Sequence, residues 1–199
     1  MDDHIKSAFE LAMEKVANLE EPSDEQRKEW EGMPMGRKLA ASFLKGEGDL
    51  AAGLAGCKDE VRSYALRGAV EVLIGNLQLP KHEVAEAANT RALEGIKQVF
   101  GENDKAKEIV ERVAYVAEQY KTHGAEQQQQ AFEQLKQQFT AQVQQMMHQQ
   151  PGAAANQPIN VETMPEFQQE WMRIKVRLEQ RFESHLDGYR KELELLAQG

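Results

Sequence analysis

His4, His82, His123, His148 and His185 are the histidines of this chain, and Cys57 is its single cysteine. Metal chemistry on helices needs paired ligands one turn apart, as in His-Glu-x-x-His or doubled Glu-x-x-His motifs. The five histidines are scattered and make neither spacing. One cysteine excludes an intramolecular disulfide and a cysteine-based zinc site. It lies among Ala51, Ala52, Gly53, Leu54, Ala55 and Gly56, with no histidine near it in sequence, which reads as a small packed hydrophobe rather than a nucleophile. Gly46-Glu47-Gly48 carries half the glycine spacing of a dinucleotide loop but lacks the strand and the third glycine. It reads as a helix break. No Walker-type loop and no Ser/His/Asp set is present, so no catalytic, cofactor-binding or metal-ligating residue is nominated.

Two patterns point toward nucleic acid and both are weak. Arg173, Arg177 and Arg181 fall at i, i+4 and i+8, one face of a helix. Glu170, Glu179 and Glu183 dilute that stripe, and the arginine stems suit the flank of an apolar seam. Pro80 to Arg91 has the look of the first helix and turn of a helix-turn-helix, with Lys97 and Gln98 as the groove-reading side chains. A continuous helix over 80–99 reads better, because Glu94 would repel phosphate. The net charge of -9 also opposes phosphate-backbone binding. His185 stands on the apolar seam described below, where a packed, hydrogen-bonded imidazole is expected, with Gln128 a plausible neighbour. Trp30, Met33, Pro34 and Met35 form the one apolar group in an irregular-looking segment. Buried packing of the tryptophan is the expected reading; if exposed, the group is a partner site, since Trp and Met favour interfaces.

These residues must be held by helices. Leu, Ile, Val and Phe make up 42 of 199 residues, close to the lower limit for a folded core, and 24 alanines supplement them. Period-two alternation is absent, and apolar residues recur at three and four. Ile5, Ala8, Ala12, Val16 and Leu19 mark a helix over about 3–20. Ser23 or Asp24 caps a short polar helix to Trp30, and Gly32 to Gly36 breaks the chain. Lys38 to Lys45 makes two turns that bury Leu39 and Phe43. Asp49 caps a short piece holding Leu50 and Leu54. Asp59 caps a helix over 60–78 with Val61, Ala65, Ala69, Leu73 and Leu77 inward. Pro80 opens another to residue 99, with Val84, Ala88, Ala92, Ile96 and Val99 inward, and Gly101 ends it. Residues 1–101 read as a small helical domain.

Residues 102–199 read as a long antiparallel helical hairpin, the alternative being two helices of one compact bundle. Ile109, Val113, Val116 and Tyr120 open the first arm, and Phe132, Leu135, Phe139, Val143 and Met146 continue it through a glutamine-rich stretch. A loop near 150–162 follows. Thr163 and Glu166 have capping-box spacing. The second arm carries Phe167, Trp171, Ile174, Leu178, Phe182, His185, Tyr189, Leu193 and Leu196. Its spacing is an eleven-residue repeat, coiled-coil-like but nearly straight. Folding back near 156–157 would set Trp171 by Val143, Leu178 by Leu135 and Tyr189 by Gly124. On that register Leu178→Glu buries a charge on the seam and weakens the pairing.

The opening residues Ile5-Lys6-Ser7-Ala8-Phe9-Glu10-Leu11-Ala12-Met13-Glu14-Lys15 resemble the start of an uncharacterised bacterial helical protein family. The resemblance implies a bacterial cytoplasmic setting and no activity. The fold expected is all-α. The function expected is non-enzymatic protein–protein interaction, as a scaffold, adaptor or chaperone-like accessory subunit. The hairpin residues and Trp30, Met33 and Met35 would carry it, with another protein or a second copy as partner and no membrane. The alternatives are a regulatory nucleic-acid-binding protein using 80–98, and an enzyme whose site forms at a subunit interface.

Overall fold

A computed structural model describes residues 22–149 and 160–199, with the side chains of 148 and 149 excepted. The helix expected over 3–20, and residues 150–159 of the expected loop, lie outside the described residues. Among the described residues every regular element is helical. These are α1 (Asp24–Leu44), α2 (Leu50–Ala55), α3 (Asp59–Gly75), α4 (Glu83–Phe100) and α5 (Asp104–Gln119). A π-turn (Tyr120–Gly124), α6 (Ala125–Gln149), a 3-10 turn (Val161–Thr163) and α7 (Pro165–Gln198) complete the order.

Ser23 starts α1 with a full capping box. Its hydroxyl accepts from the Gln26 N–H at 3.2 Å, and the Gln26 side chain accepts from the Ser23 N–H at 2.9 Å. The break expected at residues 32–36 does not occur, and α1 runs straight through Gly32, Pro34 and Gly36. Packing overrides local propensity here. Gly32 lies over the Val61 carbonyl, Gly36 over the Ala65 carbonyl, and Gly68 of α3 over the Met33 carbonyl. With no Cβ at these positions, two helix backbones come into direct contact. Ion pairs Glu31–Lys58 (3.2 Å) and Arg37–Glu71 (2.8 Å) flank the seam. Their order shows that α1 and α3 run in the same direction, with α2 in the crossover.

Val61, Ala65, Ala69 and Leu73 of α3 are buried as their spacing requires, and Leu77, expected inside the helix, is buried just beyond its end at Gly75. Asp49 caps α2 through the Ala52 N–H (2.9 Å). Asp59 does not cap α3. It is the first helical residue, and the cap position is Lys58, which makes no side-chain cap bond. In α4 Ala92 and Ile96 are buried as expected and Val99 packs on the core, but the first half of the helix is rotated by one residue from the expected face. Val84 is exposed, while Ala85 and Asn89 are buried. Asn89 explains the rotation. It accepts from the Gln78 N–H (2.8 Å) and donates to the Gln78 carbonyl (2.5 Å), which locks the α3–α4 link.

One hydrophobic cluster runs from Ala40, Phe43 and Leu50 through Leu73, Leu77 and Ile96 to Ile109, Val113, Leu186 and Leu193. It draws on residues from both sides of Gly101. A second, smaller cluster is built on Leu135, Val161 and Phe167. Helix α7 serves both, its first half against α6 and its second half between α3 and α5. The first arm is not one unbroken α-helix, since the π-turn at Tyr120 separates α5 from α6.

Candidate interaction surface

The Trp30 face follows from the helical repeat. Gly32, Gly36 and Ala40 recur every four residues and are buried against α3. Trp30 and Pro34 each stand two residues before one of these, about half a turn round the helix. Burying the glycines therefore turns Trp30 and Pro34 outward. Trp30 is 64% exposed, so the buried tryptophan packing expected for this segment does not occur. Pro34 has no N–H, so the Trp30 carbonyl receives no intrahelical bond from that position. Met35 is 38% exposed, and its sulfur accepts from the Cys57 thiol at 3.3 Å. Met33 is half-buried. Cys57 is buried and also lies 3.5 Å from the Gly53 carbonyl.

The aromatic arm is the second candidate. Phe132 meets Phe167 (ring centroids 5.5 Å) and Trp171 (5.1 Å) edge to face, and Phe139 meets Phe167 at 5.3 Å. Val143 and Ile174 pack on the same group. The ring pairs run antiparallel but in a different register from the expected one. Trp171 sits by Phe132 and not by Val143, eleven residues further on. That offset is one full repeat, so the apolar pattern matches equally well in both registers, and the stacking of three aromatic rings chooses between them. Val161 of the 3-10 turn is buried in this cluster, so the returning chain already lies along α6 before α7 begins. The Thr163 cap does not form. Asn160 caps the 3-10 turn through the Glu162 N–H (3.1 Å), and the Thr163 hydroxyl donates to the Asn160 carbonyl (2.8 Å). Met146 is 58% exposed and lies outside the cluster.

Between the two clusters is a polar junction. Tyr120 stacks edge-on against Phe182 at 5.4 Å. Gly124 faces these two rings, and not Tyr189. The Tyr120 hydroxyl donates to Glu179 (3.3 Å), and Lys81 donates to the same carboxylate (2.6 Å). The Gln128 amide donates to the Tyr120 hydroxyl at 3.5 Å. The Glu179 hydrogen bond holds the Lys81 ammonium above its ordinary pKa, against the opposing effect of burial. Burial pushes the Tyr120 phenol up.

His185 does not sit on the seam. It is exposed, and Leu186 takes the buried position. The second half of α7 packs between two helices, which swings its buried face toward Leu186 and Leu193. Tyr189 and Phe182 pack on the larger cluster, and Leu178 is half-buried. His82 caps α4 through the Ala85 N–H (3.1 Å), and His123 is exposed, 3.5 Å from Glu126. Helix α4 is continuous from Glu83 to Phe100, so residues 80–98 contain no second helix to enter a groove. Sequence reasoning missed Leu186, Asn89 and the glycine seam. The Gly-x-x-x-Gly spacing of Gly32 and Gly36 was the available signal for the last.

Among the described residues no three His, Cys, Asp or Glu side chains are grouped to hold a metal ion. No described helix is long and apolar enough to cross a membrane. A family of unknown function (DUF6657) matches residues 51–195 by its family model. This chain belongs to that family. The matched span takes in α6 and α7, which the resemblance of the opening residues did not reach, and it begins beyond Ile5 to Lys15 and beyond Trp30. No curated protein and no solved structure matches the chain.

Proposed function

We propose that this chain is a non-enzymatic protein-interaction module of the cytoplasm, a scaffold, adaptor or chaperone-like accessory subunit. One observation carries the reading. A tryptophan with most of its surface in water stands on a helix whose opposite face is locked backbone-to-backbone against its neighbour. A large aromatic side chain costs little rotamer entropy when it docks, and tryptophan is enriched among the residues that dominate binding energy. Rigid support removes part of the ordering cost of association. Pro34 and Met35 widen the apolar face. The paired arm of α6 and α7 supplies length and a polar outer surface. The partner is another protein or a second copy of the chain.

The test uses the tagged full-length chain, captured from native lysate beside its Trp30→Ser variant, with mass spectrometry of the bound fraction. A stoichiometric protein present with the parent chain and lost with Trp30→Ser supports the reading. Equal capture by both removes Trp30 from the interface. A chain ending at Gly101 is a poor control, because it would strip Ile109, Val113, Leu186 and Leu193 from the main cluster.

A further inference from the structure

The ion pairs of α7 leave two neighbouring arginines without a carboxylate. Glu170 is taken by Arg173 (3.2 Å), Glu179 by Lys81 (2.6 Å) and Glu183 by Arg190 (3.0 Å). Arg177 and Arg181 are exposed and have no anionic partner among the described residues. They stand one turn apart on the same helix face. Like charges at that spacing weaken a helix, so the fold gains nothing from the pair. Between them lies Leu178, half-buried. Together with Gln180 and Ser184 these three line an open groove of about 450 Å³.

The geometry points to this groove as a docking site for an acidic peptide segment that carries one aliphatic side chain between its carboxylates. Charge complementarity selects the occupant. Two planar guanidiniums with free donors match carboxylates in a bidentate manner, and the Leu178 surface between them takes an apolar side chain. A nucleic acid backbone offers no aliphatic side chain for the Leu178 surface, and two arginines are few for a phosphate-backbone footprint on a chain of net charge -9. The inference rests on the protein-interaction reading above but uses different residues, on a different helix from Trp30.

The probe is a fluorescein-labelled peptide of glutamates with one central leucine, followed by fluorescence anisotropy against the full-length chain. Saturable binding is expected, weaker at high salt. The double variant Arg177→Gln with Arg181→Gln is expected to lose about tenfold or more in affinity. Its melting temperature should be no lower than the parent's, because like-charge repulsion is removed. Leu178→Ser should weaken binding, as should replacing the peptide's leucine by serine. Trp30→Ser should bind the peptide unchanged, so failure here and failure of the Trp30 interface are read separately. Equal affinity of the double variant and the parent overturns the assignment. Tighter binding of a single-stranded oligouridylate than of the peptide overturns it in favour of nucleic acid. The absence of saturable peptide binding at low salt also overturns it.

Discussion

A Cβ added to Gly36 would lie 1.7 Å from the Ala65 carbonyl oxygen, well inside any permitted contact. The obstacle is backbone and cannot rotate away. Gly36→Ala therefore forces α1 off α3 and is expected to destabilise by ~3 kcal/mol, the upper part of the overpacking range. Gly188 of α7 has no heavy atom within 4 Å of the same construction. Gly188→Ala should stabilise by about 0.5–1 kcal/mol through helix propensity. Urea unfolding of both variants checks the pair, and opposite signs are the expected outcome. Two shifts of the same sign would refute the backbone contact.

Phe167 is 1% exposed and meets Phe132 and Phe139 edge-on. Phe167→Ala is expected to cost ~3–5 kcal/mol. Leu178→Glu, expected from the seam pattern to be severe, now falls on a half-buried position beside Arg177 and Arg181. It should cost no more than about 1 kcal/mol. Comparable losses in thermal melts of the two variants would mean that Leu178 is buried after all.

Among the described residues Asn89 is the one buried polar side chain, and both its hydrogen bonds go to the Gln78 backbone. Asn89→Ala leaves an N–H and a carbonyl without partners, at a cost of ~2 kcal/mol or more. Hydrogen exchange at the Gln78 amide should rise in the variant. An unchanged protection factor there would show that the bond contributes nothing to the link.

Stability should fall in alkali at the junction. Lys81 is held above its ordinary pKa by Glu179, and Tyr120 is raised by burial. A group whose folded pKa is raised contributes fully below its unfolded pKa and loses that contribution as pH climbs through the folded one. Both losses therefore fall above about pH 10. Tyr120→Phe should flatten part of the decline in melting temperature over that range, since the phenol is gone and Lys81 alone remains at the junction to deprotonate. A decline as steep as the parent's would assign the alkaline loss to other groups.

Trp30 and Trp171 are the two tryptophans of the chain. Trp171→Phe isolates Trp30, whose emission should be that of a hydrated indole and should be quenched by acrylamide nearly as readily as free tryptophan. Blue-shifted, poorly quenched emission from dilute protein would show that another part of the chain covers it.

Helix type and the better part of the core were legible because period and burial coincide wherever one helix faces one core. Val61 to Leu77, and Ile109 to Tyr120, are such runs. Legibility failed where a second body redirects a face. Val84 points out because Asn89 must reach Gln78. His185 gives way to Leu186 because α7 passes from one neighbour to two. The register of α6 on α7 was not decidable from spacing, since an eleven-residue repeat looks identical when moved by its own length, and the bulk of Phe132, Phe167 and Trp171 settles it only in three dimensions. Gly32, Pro34 and Gly36 show the limit most plainly. Local propensity marks them as a break, and the sequence by itself determined only that an all-α chain carries a Gly-x-x-x-Gly spacing there. The tertiary structure decided that the spacing is a contact, because an α3 backbone within reach of α1 stabilises a helix that those residues alone would interrupt. That same contact turns Trp30 toward water.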